Sequence, residues 1–310
     1  MPDACWLYED GIGEARAALV DGNRILAARI ELPGRLRVGT VAPARLTEFQ
    51  LATLDMSEQV MLDRRPTGVT LGSAITVEVV REVIPEPGRA KRARGRVTDV
   101  TPTTGPDLLA RITATGVPVR TLRAHEPDLL EQAGWSEVLD EALSGEIAFA
   151  GGALRMSPTP AMTLFDVDGD GPLDVLAERA AVAVAHAIRR HGIGGSIGVD
   201  FPSVTGKAAR QVVAAAIDAH LALPFERTAV NGFGFLQIVR PRPRASLPEL
   251  LRDDLAAAAT RAALRQIERV PATAHNRHRL SAPVGACLDA HPDWLDELVR
   301  RTGRTPIFNA

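Results

Sequence analysis

The sequence predicts a multidomain chain that mixes α+β and α/β parts, with a small β-barrel followed by an α/β subdomain whose strands end in aspartates. Three observations predict this. Short β-like runs broken by Gly and Pro recur between residues 36 and 99, the pattern of a small barrel. Two apolar runs, Met162-Thr-Leu-Phe-Asp166-Val-Asp168 and Ile193-Gly-Gly-Ser-Ile-Gly-Val-Asp200-Phe, each deliver a carboxylate where the run stops. Between them Leu173, Leu176, Ala180, Val184, Ala187 and Ile188 recur at helical spacing, so strand, helix and strand form a βαβ unit with parallel neighbours.

Taken in chain order, residues 15–32 predict a hairpin turning at Asp21-Gly22-Asn23, because Asp-Gly between alternating runs is a strong hairpin signal. Residues 37–41, 51–54, 59–62 and 74–84 predict the strands of the barrel, an OB-fold by their number and spacing, and the basic run 89–96 its rim or last hairpin. Residues 101–106, Thr-Pro-Thr-Thr-Gly-Pro, predict a linker. Helices are expected at 127–134 and 136–143, then strands at 147–149 and 153–156 on either side of Gly151-Gly152. After Asp200 come a helix at 205–221 and one strand at 227–239, ended by Pro241 and Pro243. A single long helix is expected at 247–269 with Ser246 as N-cap. A strand at 279–287, a helix at 292–301 and a strand at 306–308 close the chain.

At 310 residues the chain can hold two or three cores. Cys5 and Cys287 lack any Cys-x-x-Cys partner, which argues against a cysteine zinc site and for a reducing, cytoplasmic setting. The start Met1-Pro-Asp-Ala-Cys-Trp has no basic end or apolar run of a secretory signal, and no stretch reaches 18 apolar residues, so no membrane association is expected. Net charge is −2, but it is unevenly spread. Arg89, Lys91, Arg92, Arg94 and Arg96 crowd one segment and Arg240, Arg242 and Arg244 another, patterns suited to phosphates.

In a parallel pair both C-terminal ends lie on one sheet edge, where ligands of open α/β sheets bind. Asp166, Asp168 and Asp200 are therefore expected to converge, and clustered carboxylates call for a hard divalent cation. Other readings of these residues are weaker. As a calcium loop, Asp166-Val-Asp168-Gly-Asp170-Gly171 places Ala177 where a bidentate Glu is needed. Leu164-Phe-Asp-Val-Asp-Gly resembles the nucleophile loop of haloacid-dehalogenase-type phosphatases, with Lys207 and Asp253-Asp254 as recruits, but Asp170 stands where that family needs Thr. There is no G-x-x-x-x-G-K-[ST] loop and no nucleophile elbow around Ser281, His275 or His278.

Gly151-Gly152-Ala-Leu-Arg-Met, the two aspartate runs, and Phe233-Gly-Phe-Leu-Gln-Ile-Val-Arg240-Pro-Arg242 together resemble the catalytic core of the ribonuclease E/G family. That resemblance implies a ribonuclease-H-like segment from 1–35 and 100–149, an OB-fold RNA-binding barrel at 36–99, a catalytic α/β subdomain at 150–245 and a small C-terminal domain at 246–310. It implies Mg²⁺ (or Mn²⁺ in its place) on Asp166 and Asp200, with Asp168 as the adjacent catalytic residue where the family usually has Asn. The family's 5′-sensor insertion and its cysteine zinc link are not found, so neither zinc nor a zinc-linked dimer is expected. The expected activity is endonucleolytic hydrolysis of single-stranded RNA, with Lys91, Arg92, Arg94, Arg96, Arg240 and Arg242 on the RNA. A non-catalytic RNA-binding homologue and the phosphatase are the alternatives.

Overall fold

A computed structural model describes residues 4–86, 88–271 and 273–309, so the Met1-Pro-Asp start lies outside it. The chain begins with β1 (Cys5–Gly11), β2 (Glu14–Asp21) and β3 (Arg24–Glu31), an antiparallel meander in which Asp21-Gly22-Asn23 makes the expected turn. β1 has no counterpart in the sequence reading. Its buried positions include Glu9, a charged residue that breaks the apolar alternation on which strand recognition depends.

The barrel comprises β4 (Val41–Glu48), β5 (Leu51–Leu54), β6 (Gln59–Leu62), β7 (Ala74–Arg81) and β8 (Ala93–Val97), closed in the order β4-β5-β6-β8-β7 with β6 and β8 parallel. Leu46, Leu54, Val60, Leu62, Val77 and Val79 fill it. Gly95 faces that interior, where a Cβ would lie 2.6 Å from Val77 Cγ1, so only glycine fits at this point of β8. The first strand starts at Val41 rather than running over 37–41, and the supposed linker is strapped to it. Thr103 exchanges both backbone hydrogen bonds with Val41, at 2.9 Å each.

α1 (Leu108–Thr113), β9 (Val119–Thr121) and α2 (Leu129–Gln132) follow. β9 joins β1 in parallel, making a four-stranded sheet of order β3-β2-β1-β9. Leu108 and Ile112 of α1 pack on Trp6, Ala17, Leu19 and Ala27 of that sheet. α3 (Trp135–Ser144) leads to β10 (Glu146–Phe149), β11 (Gly152–Pro158) and β12 (Thr163–Gly169). Then come α4 (Leu173–His191), β13 (Gly195–Asp200), α5 (Lys207–His220), β14 (Glu226–Arg227) and β15 (Phe235–Arg240). These form a six-stranded sheet of order β10-β11-β12-β13-β15-β14. One face is sealed by α4 and α5 through Ala180, Val184, Ile188, Val213 and Ile217 against Phe165, Ile197, Val199 and Ile238.

The single strand expected at 227–239 is instead two antiparallel strands. Asn231 Oδ1 accepts from the backbone N–H of Phe233 (2.9 Å) and Phe235 (3.0 Å), and Gly234 takes φ +92°, which turns the chain. The long helix is likewise two, α6 (Leu247–Asp253) and α7 (Leu255–Glu268), because extended Asp254 breaks the run and caps α7 through Ala257 N at 2.9 Å. At the start of α6, Glu249 accepts from the backbone N–H of Ser246 at 2.7 Å and from its hydroxyl at 2.8 Å, which is the carboxylate half of a capping box. β16 (Arg277–Arg279), α8 (Ala282–Ala290), α9 (Pro292–Thr302) and β17 (Ile307–Asn309) complete the chain. The strand expected at 279–287 is mostly helix α8, which Ser281 and the following proline start.

The chain divides into two compact units: residues 1–35, 108–136 and 250–310, and residues 36–107 and 137–249. In the second, Glu141 of α3 accepts from Arg190 Nη1 (2.6 and 2.7 Å) and lies 3.0 Å from His191 Nε2 at the end of α4. Burial raises its carboxyl pKa, but the His191 hydrogen bond and the Arg190 charge outweigh that, and the net shift is downward from 4.5. A depressed carboxyl stabilises the fold above its unfolded value and loses this as pH falls through the folded one. Thermal melts are therefore expected to weaken below about pH 4.5, and less so in Glu141→Gln. Equal acid slopes for the two proteins would contradict this role.

Candidate active site

β12 and β13 are parallel, and their register sets Asp166 directly opposite Asp200. Phe165 and Val199 point into the helix-covered core, so the aspartates, one residue on, point to the open face. The register continues sideways as one row across five strands: Glu146, Arg155, Asp166, Asp200 and Phe235. Adjacent strands lie about 4.8 Å apart, so each member of this row is within reach of the next. The carboxylates of Asp166 and Asp200 make no hydrogen bond or ion pair with any described residue.

Asp168 shares the face of Asp166, two residues along β12, but lies beyond the last paired residue of β13. Its carboxylate is 3.5 Å from Arg155 Nη2, and Arg155 also donates to Glu146 at 3.1 Å. The Glu146 hydrogen bond, the Glu146 charge and then the Asp168 charge raise the Arg155 pKa further above its ordinary value. Arg155 thus stands in the row directly across from Asp166. It sits inside the Gly-Gly-Ala-Leu-Arg run, but its cross-strand register with Asp166 exists only in the folded sheet.

Gly198, two residues before Asp200, makes room for apolar side chains on the same face. A Cβ there would meet Phe235 Cζ at 2.7 Å, Leu164 Cδ2 at 2.8 Å and Met162 Sδ at 3.0 Å. The site therefore has a charged row and an apolar floor beside it.

The arginines after β15 do not join it. β15 runs antiparallel to β13, pairing Phe235 with Asp200 and Arg240 with Gly195. Five residues of strand put Arg240 about 17 Å from the carboxylates, at the opposite end of the sheet. The register thus places Arg240 and Arg242, expected on the RNA, away from the strand-end carboxylates. Arg240 has a pKa lowered by burial, and Arg242 packs over Gly195 and pairs with Glu249.

No family model and no curated protein matches the chain. Its chemistry is therefore read from the residues themselves.

The barrel's basic run divides in two. Lys91 donates to Pro160 O at 3.0 Å and pairs with Glu86, so its ammonium is engaged. Arg92, Arg94 and Arg96 alternate with Ala93 and buried Gly95, which lines three guanidiniums along the outside of β8. Arg94 pairs with Asp63 and Arg96 with Glu78, each at 2.8 Å, in exposed bridges that exchange readily with other anions. Among the described residues no three His, Cys, Asp or Glu side chains gather as a metal-holding group, and no helix is long and apolar enough to cross a membrane.

Proposed function

We propose that this chain is a compact endoribonuclease of the ribonuclease E/G type, hydrolysing phosphodiester bonds in single-stranded RNA with Mg²⁺, or Mn²⁺ in its place. The observation that carries this reading is the in-register pair Asp166 and Asp200 at the C-terminal ends of two parallel strands. Two unpaired carboxylates one strand apart repel each other, and Mg²⁺ is usually held by one or two carboxylates with several waters. The donor set fits that ion.

When bound, Mg²⁺ supplies polarisation of the scissile phosphate and an acidified water. The chain's own part is to hold Asp166 and Asp200 on neighbouring strands whose spacing the ladder fixes. Asp168 and Glu146 hold Arg155 on the same face, where its fork suits a non-bridging phosphate oxygen. The strand order of the barrel, with its parallel β6–β8 pair, supports an OB-fold, and Arg92, Arg94 and Arg96 give it an outer line of cations for RNA backbone. The order β3-β2-β1-β9 with a parallel last strand supports the ribonuclease-H-like assignment of the first sheet. The phosphatase reading loses support, since Asp254 caps α7 and Asp253 pairs with Arg35.

The test is cleavage of an unstructured RNA with and without Mg²⁺, with products mapped, beside a generic phosphomonoester. Internal cuts that need metal support the nuclease. Turnover of the monoester alone would select the phosphatase, and metal and RNA binding without turnover a non-catalytic homologue.

A further expected result concerns Asp168. As a neighbour of the metal pair rather than a proton-transfer group, it raises the local negative charge, so Asp168→Asn should need more Mg²⁺ but reach a rate near wild type. Loss of about a hundredfold that Mg²⁺ does not restore would instead make Asp168 a general acid or base.

A further inference from the structure

A cavity of about 590 Å³ lies between α5 and the 226–234 segment, lined by Lys207, Arg210, Ala214, Ala215, Arg227 and Ala229 among others. The α5 members recur at i, i+3, i+7 and i+8, so they share one helix face. Its volume falls in the range of small-molecule sites, and its alanines leave it open. No carboxylate lines it. Arg227 is held by Asp218, with Nε donating at 2.7 Å. Lys207 and Arg210 have no side-chain partner among the described residues, so the cleft carries uncompensated positive charge.

The same segment presents Phe233 with 84% of its surface exposed. Its backbone is fixed at every point. Asn231 Oδ1 accepts from its N–H at 2.9 Å, and its carbonyl accepts from Ser203 Oγ at 3.3 Å. The neighbouring Gly234 accepts from Phe201 N at 3.2 Å, at φ +92°, and a Cβ there would lie 2.2 Å from Phe201 O. The turn is thereby tied to the residues that follow Asp200, and it leaves the phenyl ring in solvent.

We propose that α5 and the β14–β15 hairpin form a subsite for single-stranded RNA, with a phosphate in the Lys207–Arg210–Arg227 cleft and a base stacked on Phe233. This rests on the nuclease reading and extends it to substrate binding. Any anion suits the cleft and any flat apolar group suits the ring, but a nucleotide strand offers both at every repeat. Stacking on a phenyl ring is tolerant of base identity, so the subsite holds the strand without choosing a sequence.

The test uses the full chain in EDTA and a short single-stranded RNA carrying 2-aminopurine. Phe233→Ala should weaken binding about five- to a hundredfold and abolish quenching of the probe, and Phe233→Trp should restore both. An RNA with an abasic residue at the stacked position should bind wild type as weakly as intact RNA binds Phe233→Ala, with no added loss in that variant. Replacing Lys207 and Arg210 by Ala should make the slope of log affinity against log salt shallower by about 0.7, the contribution of one single-strand phosphate contact. Binding by Phe233→Ala within twofold of wild type, or an unchanged salt slope, overturns the subsite even if wild type cleaves RNA. Intact binding and quenching with no metal-dependent cleavage supports the subsite and overturns only the nuclease. A wild-type chain that binds no RNA overturns both.

Discussion

Asp200→Asn is expected to lose at least a hundredfold in RNA cleavage at limiting Mg²⁺ while keeping its fold. The carboxylate is exposed at a strand end, and its backbone pairs with Phe235 on one side and Asp166 on the other. An amide of the same shape leaves those ladders intact. What it removes is one of two negative charges facing the same position, and with it much of the attraction for a hard cation. The row would also become less negative, since Arg155 would then face a single aspartate across the sheet. The check is the cleavage rate against Mg²⁺ concentration, with circular dichroism to confirm the fold. A folded variant that cuts at a near-normal rate in limiting Mg²⁺ would remove Asp200 from the site.

The largest expected loss of stability lies in the other unit, at Glu9. Its carboxylate, on β1, accepts from Arg16 at 2.7 Å, stands 3.3 Å from Arg265 and pairs with Arg269. Glu14 joins the same network through Arg16 at 3.0 Å and Arg261 at 2.8 Å. Glu9, Glu14, Arg16, Arg261 and Arg265 are all buried. Desolvating so many charges costs as much as their attraction returns, so the network as a whole adds little net stability. Removing one member is different, because Glu9→Gln leaves guanidiniums buried without their counter-charge. The expected loss is about 3–5 kcal/mol in urea denaturation. Breaking the exposed pair of Asp63 and Arg94 should cost only about 0–1 kcal/mol. A Glu9→Gln loss as small as that would mean water reaches the arginines. RNA cleavage by the fraction that remains folded should be unaffected, since the proposed site lies in the second unit.

The same two places show what a sequence can and cannot reveal. The aspartates were legible because each ends an apolar run, and the helix between them imposes a parallel pair. Period and run length are local properties, and α4 starts at Leu173, the first of its periodic apolar residues, and runs past Ile188 to His191. The β5 and β6 strands were equally plain. β1 was not, because a buried glutamate reads as a surface residue until the arginines that surround it, up to 260 positions away, are brought together. The split helix and the hairpin at 231–234 failed for a related reason. One aspartate cap and one asparagine turn each overrule a long favourable pattern.

By itself, then, the sequence determined which residues are available for chemistry: strand-end carboxylates and a basic β-strand, with no paired cysteines. Only the tertiary structure decided which of them meet. Strand direction is set by turns and by long-range pairing, so it brings Arg155 and Phe235 into line with Asp166 and Asp200 while carrying Arg240 to the far end of the sheet. Side-chain alternation is written in the chain, but register is a property of two strands, and it is register that assembles this site.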